Sequence, residues 1–203
     1  MILNRFEFFL MNNPVRALIQ KTIEVRRLRK LSSLGKGKHI LEIGCGRGVG
    51  TKLIQKNFQA RLIHAIDLDP RMIARAKKRV KDPAISFQVA SAAHIPFEKN
   101  TFDAVIDFGI IHHIPDWKNC LVEVHRVLKP GGEFLLEDLS IESFQTPLGR
   151  IYKTLLEHPY KEMYTEKAFV EELKRLGFEI RFHKTYKTFS LLRYFVVVAV
   201  KKV

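Results

Sequence analysis

The sequence predicts an α/β fold: a single domain on a mostly parallel seven-stranded sheet, with helices on both faces and a C-terminal antiparallel strand pair. Three observations carry this expectation. From residue 38 onward, short apolar runs alternate with stretches of helical spacing, the pattern of βα units with parallel strands. A glycine cluster, Gly44, Gly46 and Gly48, stands where the first such strand gives way to the first such helix. Two further strand-like runs close the chain with a short loop between them, and so small a connection joins antiparallel neighbours.

The elements follow in order. Residues 14–34 place Val15, Leu18, Ile19, Val25, Leu28 and Leu31 at helical spacing, with Arg16, Lys21, Arg26, Arg27, Arg29 and Lys30 largely elsewhere; this is an amphipathic helix. Pro14 suits its first turn, with Asn12 or Asn13 as cap. Gly35 and Gly37 break the pattern. His39 to Ile43 is a buried strand, residues 49–58 a helix and Arg61 to Ile66 a second strand. Asp69 followed by Pro70 is a cap and first-turn proline, opening a basic helix to about Val80. Ile85 to Val89 and Asp103 to Phe108 are the third and fourth strands. Trp117 to Leu128 has helical spacing and stops at Lys129-Pro130-Gly131-Gly132, before a fifth strand from Glu133 to Glu137. Thr165 caps a helix to Leu176, ended by Gly177. Glu179 to Tyr186 and Leu192 to Val200 form the closing pair. The chain thus divides into a basic helical segment at 1–37, acting as cap or lid, and a sheet domain at 38–203 with a helical insert at about 140–164.

Composition narrows the function. An apolar share of 46% over 203 residues suffices for one core. No apolar run reaches the ~18 residues of a membrane-spanning helix, and Met1 to Met11 carries Arg5 and Glu7 without a small-residue cleavage site, unlike a signal peptide. Two cysteines, Cys45 and Cys120, are too few for a disulfide scaffold, and no Cys/His cluster has zinc spacing, so no metal is expected. A reducing, cytoplasmic setting follows. The net charge of +14 lies at the chain ends: residues 1–38 hold nine basic and two acidic groups, residues 174–203 eight and one, and the middle has 18 of each. Such ends favour anionic partners, whether nucleic acid, a membrane surface or an acidic substrate, or simply serve solubility.

The chemistry concentrates at Glu42 and Gly44-Cys45-Gly46-Arg47-Gly48. Glycines let the backbone turn tightly and approach a ligand, and a turn in this place binds at the carboxyl ends of the strands. The dinucleotide fingerprint needs glycines at its first, third and sixth positions; Val49 and Thr51 occupy the sixth position in the registers that start at Gly44 and Gly46. A P-loop needs a terminal Gly-Lys-Ser/Thr, which is absent here. What remains is a carboxylate beside three alternating glycines, suited to a cationic cofactor without phosphate. Asp67 follows Gly48 by 19 residues, at the distance where a carboxylate accepts ribose hydroxyls.

Ile40–Gly48, Ala65–Asp69, Ile95–Phe97, Phe102–Val105, His112–Asp116 and Val127–Gly132 together resemble the ordered motifs of class I S-adenosylmethionine-dependent methyltransferases. They are most similar to the small-molecule branch that includes ubiquinone and menaquinone biosynthesis enzymes. The resemblance covers about residues 38–138. It implies a Rossmann-like domain and S-adenosylmethionine as cofactor. By position it implies Glu42 and the loop Gly44, Cys45, Gly46, Gly48 against the methionine moiety, Asp67 at the ribose, Leu68 against the adenine, and Ser91 and Ala92 at the adenine edge. Asp107 and Phe108 would face the methyl donor and the acceptor. Ser91 stands where many relatives carry aspartate, and a hydroxyl is the weaker hydrogen-bond partner.

Methyl transfer needs alignment first and a base only where the nucleophile carries a proton. His112, His113 and Asp107 are the candidate bases, since histidine titrates near neutrality. Glu137 and Asp138, ending the fifth strand, read as ordinary surface carboxylates, and Cys45 and Cys120 as packed core. The insert, with Phe144, Tyr152, Leu155, Leu156, Tyr160, Met163 and Tyr164, suits an apolar or aromatic acceptor. The function expected is methyl transfer to a small lipid-like or aromatic acceptor, with Phe6, Phe8, Phe9 and the basic start at an anionic membrane. RNA or protein methylation is the alternative, although Asp107-Phe108-Gly109-Ile110 lacks the Asn-Pro-Pro-aromatic signature of amino-group methylation. A non-catalytic binding or scaffold protein is the second alternative.

Overall fold

In the computed structural model, residues 23–155, 158–187 and 193–203 are described. The expected helix start at Asn12–Pro14, the apolar residues Val15, Leu18 and Ile19, the phenylalanines Phe6, Phe8 and Phe9, and Leu156 with the side chain of Tyr152 lie outside them. The elements are α1 (Val25–Leu31), β1 (His39–Ile43), α2 (Val49–Phe58), β2 (Leu62–Asp67), α3 (Pro70–Arg79), β3 (Ile85–Val89) and β4 (Phe102–Asp107). Then come α4 (Trp117–Val127), β5 (Leu128–Asp138), α5 (Pro147–Leu155), α6 (Glu166–Arg175), β6 (Phe178–Lys187) and β7 (Arg193–Lys201). Short 3₁₀ turns lie at Ile111–His113 and Ile141–Gln145.

The seven strands form one sheet in the order β3-β2-β1-β4-β5-β7-β6. β1 to β5 pair in parallel, while β7 runs antiparallel to both β5 and β6. Because successive side chains on a strand point to opposite faces, the sheet builds two cores. Leu41, Ile43, Val105, Phe134 and Val197 face α4 and α6. Ile40, Ala104, Ile106, Leu135 and Val198 face α1 and α2. β1 and β4 are buried on both faces, which explains their near-continuous apolar runs.

The capping expectations hold. The Asp69 side chain accepts the Arg71 amide ahead of Pro70, and the Thr165 hydroxyl accepts the Ala168 amide. Two boundaries differ. α1 ends at Leu31 and not at residue 34, because Ser32 and Ser33 turn outward to give both hydroxyls and the Ser33 amide to Glu133. Three donors on one buried carboxylate outweigh another partial helical turn. β5 begins at Leu128, which pairs with Phe102; residues 129–132 then bulge before Glu133 rejoins opposite Ala104. A bulge admits Pro130 into a strand that would otherwise exclude it.

α1 is tied to β5 at both ends. Ser32 and Ser33 hold Glu133 near the bulge, while Arg27 reaches Glu137 at 2.9 Å near the carboxyl end. The helix therefore runs antiparallel to β5 and begins at the sheet edge where the parallel strands end. Val25 and Leu28 are fully buried on the sheet.

Candidate active site

The strand order reverses between β1 and β4, from which the chain winds outward in both directions. At such a switch point the loops after the two strands part and leave a crevice at their carboxyl ends. Ile43 at the end of β1 lies in register with Ile66 of β2 and Asp107 of β4. The crevice is therefore walled by Gly44–Gly48, by Asp67 and Leu68, and by Asp107–Ile110.

The glycine loop is shaped by its neighbours. Gly44 has φ +67°, and a Cβ there would collide with the side chain of Ile110; only glycine lets the loops after β1 and β4 come this close. Asp67 ties the loop to β2: its Oδ2 accepts the Gly46 amide at 2.8 Å and its Oδ1 the Asp69 amide at 2.9 Å. Burial raises the Asp67 pKa, opposed by those two amides. Glu42 is buried beneath the loop and accepts the Thr51 hydroxyl of α2. Burial pushes its pKa up to about 8, the Thr51 hydrogen bond pulls the other way, and the Asp67 charge adds to the rise. A carboxylate so placed is poorly solvated unless a cation comes beside it.

Leu68 is 42% exposed, an apolar wall open to a ring. Ser91 follows β3 and turns its hydroxyl to the Ala93 amide at 3.2 Å, and Ala92 packs into the α4-side core. Phe108 is buried in the α1-side core, and Cys45 is buried with its thiol pKa raised by burial and then by Glu42. Asp107 is fully buried. Its Oδ1 accepts the Ile110 amide at 2.9 Å, and its Oδ2 finds no donor among the described residues. Burial, then the neighbouring charge of Asp138, holds its pKa well above the carboxylate range.

His112 and His113 form the 3₁₀ turn just beyond, both buried, with ring centroids 4.1 Å apart. The expectation for Asp138 is overturned: it is 1% exposed and no surface carboxylate. It accepts His112 Nδ1 at 2.5 Å, the Tyr164 hydroxyl at 2.8 Å, and the amides of Ile111, His112 and Leu139 at 3.0, 3.2 and 2.7 Å. Glu137 is likewise buried, held by Arg27. Strand-end position was a signal for Asp138; what hid its role was that four of its five donors belong to loops folded over the strand end. Two more participants were missed. Thr51 looked like an ordinary helix residue. His158, in the insert, brings its ring centroid to 4.3 Å from that of His113, across a sequence separation no spacing rule detects.

The donor set fits S-adenosylmethionine. A buried carboxylate at Glu42 suits its cationic amino acid end, the Asp67 carboxylate a pair of ribose hydroxyls, and the bare backbone at Gly46, where a Cβ would meet nothing within 4 Å, leaves room above the loop.

Residues 41–136 match the methyltransferase domain family. The chain is 36% identical over 103 residues to the phthiotriol/phenolphthiotriol dimycocerosates methyltransferase of Mycobacterium leprae, covering 51% of this chain and 38% of that protein. It is 35% identical over 102 residues to the fatty-acid O-methyltransferase of Mycolicibacterium smegmatis, covering 50% and 37%. The chain thus aligns with well under half the length of these curated relatives. An S-adenosylmethionine-dependent methyltransferase structure from Aquifex aeolicus superposes with a TM-score of 0.74 at 19% identity, over 98% of this chain and 99% of that one. The sheet order and the superposition show a Rossmann-like fold, and the family match over residues 41–136 places the likeness to methyltransferase domains on the part of the chain that builds the crevice.

Proposed function

We propose that this protein transfers the methyl group of S-adenosylmethionine to an oxygen of a small lipid-like acceptor. The observation that carries the reading is the crevice at the β1/β4 switch point, with a buried carboxylate and the Asp67-anchored glycine loop on one wall, Asp107–Ile110 on the other, and the Asp138-held His112 in the turn that follows. The two relatives named above act, by their names, on phthiotriol or phenolphthiotriol dimycocerosates and on fatty acids, which supports a lipid-like acceptor. Phe144, Tyr160 and Tyr164 of the insert supply apolar surface beside the histidines; Phe144 and Tyr164 are buried.

The bound cofactor supplies a methyl group already activated on a cationic sulfur. The chain's task is alignment, which can contribute about 7–11 kcal/mol. Glu42 and Asp67 fix the two ends of the cofactor, and Gly44 lets Ile110 close against the loop. Asp138 accepts a hydrogen bond from His112 Nδ1–H, which holds the proton on that nitrogen and leaves Nε2 as the acceptor for a hydroxyl proton. With the hydroxyl proton held at His112 Nε2, the bound cofactor would supply its methyl carbon to the hydroxyl oxygen, its neutral thioether being the leaving group.

Residues 1–37 are proposed as a basic cap on the acceptor side, since α1 begins beside Glu137 at that end of the sheet, and residues 140–164 as its counterpart. Arg26, Arg29 and Lys30 of α1 are suited to an anionic membrane surface; among the described residues no helix is long and apolar enough to cross a membrane.

The test is calorimetric titration with S-adenosylmethionine, followed by transfer of labelled methyl to a panel of fatty acids, phenols and long-chain diols with a structured RNA as comparison. Micromolar cofactor binding with label on a lipid acceptor supports the reading. Label on the RNA alone overturns the acceptor class, and no cofactor binding by folded protein overturns the whole.

A further inference from the structure

We infer that His112, His113 and His158 form a binding site for one divalent transition-metal ion, with a coordination position left for an oxygen from outside the protein. Their candidate ligand nitrogens all lie within 4.8 Å of one another. The ring centroids are 4.1, 4.3 and 5.2 Å apart. At a metal–nitrogen distance of about 2.1 Å, ligands in a tetrahedral set sit about 3.4 Å apart. The cluster therefore closes on an ion by side-chain rotations that move its outermost nitrogens by an ångström or so.

Proximity is supported by three independent features. His112 has the outer partner typical of a metal-ligating imidazole: Asp138 takes Nδ1 at 2.5 Å, which orients the ring and leaves Nε2 for the ion. His113 is only 9% exposed, yet its Nδ1 is buried without a hydrogen-bond partner among the described residues. A buried ring nitrogen without a partner calls for an explanation, and a cation beside it is one. His158 is held in place by aromatic neighbours, Tyr160 stacked at 18° and Phe144 edge-on at 5.2 Å.

Charge points the same way. Asp138 is buried next to this cluster, and among the described residues no lysine or arginine pairs with it. A dication held by neutral imidazoles offsets that buried negative charge. Three imidazoles select zinc, cobalt, nickel, copper or iron over magnesium or calcium, which prefer oxygen. Three protein ligands with an open position form the arrangement of a catalytic site, in contrast to the closed four-ligand set of a structural one. The use of the ion rests on the proposed methyl transfer; its binding does not. In the loaded protein His112 Nε2 is a ligand, and an acceptor hydroxyl coordinated in the open position gives up its proton to water more readily than a free one.

The test uses the full chain, free of any histidine tag and stripped of metal by chelator and dialysis. It is titrated with zinc chloride by calorimetry and with cobalt chloride by visible absorption. One equivalent per chain is expected, with cobalt d–d bands of a four- or five-coordinate site. His113→Ala and His158→Ala should each weaken zinc binding roughly tenfold or more, and Asp138→Asn about 10- to 100-fold. His158 lies in the insert outside both sheet cores, so its variant keeps the fold, which a thermal melt verifies. An Asp67→Ala variant should bind zinc unchanged while losing S-adenosylmethionine, which separates this site from the cofactor reading. No saturable equivalent, or a His158→Ala variant that binds zinc as tightly as the parent, overturns the inference.

Discussion

The Asp67 carboxylate holds the Gly46 amide at 2.8 Å, so the residue proposed to hold the cofactor's ribose also fastens the glycine loop after β1. Removing it disturbs both. Asp67→Ala is expected to weaken S-adenosylmethionine binding by about 2–4 kcal/mol, the loss of two or three charge-assisted hydrogen bonds. Calorimetry reads this directly, and affinity within threefold of the parent would contradict the assignment.

Glu42 predicts a pH dependence. Its pKa rises from the ordinary 4.5 to about 8 on folding. Between those values the folded state holds a proton that the unfolded state has lost. Its contribution is therefore fully present below pH 4.5 and falls away as pH rises toward 8, by up to about 1.4 kcal/mol per pH unit. Asp107 has the same sign, so the parent must be compared with Glu42→Gln at each pH. In thermal melts of the cofactor-free protein, the parent should lose more stability from pH 5 to pH 8 than the variant does. Cofactor binding should tighten over the same range in the parent only, because the ionised carboxylate attracts the ammonium.

Gly44 and Ile110 form a steric pair. Gly44→Ala places a Cβ against Ile110 at a left-handed backbone. Overpacking costs about 1–3 kcal/mol and the left-handed conformation about 1–2 kcal/mol more. The double variant with Ile110→Ala should recover the overpacking part and leave the backbone part, as read by chemical denaturation. Complete recovery would contradict the backbone share.

Asp138 gathers five donors. Asp138→Asn turns an amide NH₂ toward groups that themselves donate, leaving at least two of them unsatisfied at about 1–3 kcal/mol each. It also frees the His112 tautomer. Stability should fall by several kcal/mol. At temperatures where the variant is folded, kcat should drop about 10²-fold or more, with KM for S-adenosylmethionine little changed. A larger change in that KM than in kcat would place Asp138 in cofactor binding.

Arg27 anchors α1. It pairs with Glu137 and lies over Tyr186 at 4.2 Å. Arg27→Ala leaves Glu137 buried without this cation. The expected loss is about 2–4 kcal/mol, larger than the ~1 kcal/mol of an exposed ion pair. Arg27→Ala/Glu137→Gln should recover part of it, and additive losses in the double variant would show the pair to be uncoupled.

What the sequence determined by itself is what local chemistry dictates. Alternating apolar runs and helical spacing set the seven strands and their order of appearance, because the central strands, covered by helices on both faces, must be largely apolar. Asp69 before Pro70, and Thr165 three residues before Ala168, set two helix starts, because a cap is made within one turn. The placing of the glycine loop, Glu42 and Asp67 at the strand ends was legible because it depends on local position along the chain. The tertiary structure alone decided what depends on segments far apart meeting. Asp138 read as a surface group, since nothing near it in the chain shows that Tyr164 folds over it. Ser32 and Ser33 end α1 early because Glu133 waits a hundred residues away. The meeting of His158 with His112 and His113 is a fact of how the insert lies on the end of the sheet. Side-chain chemistry at a single position can be read along the chain, but a hydrogen bond or a ligand set between distant segments exists only once packing has brought its members within reach.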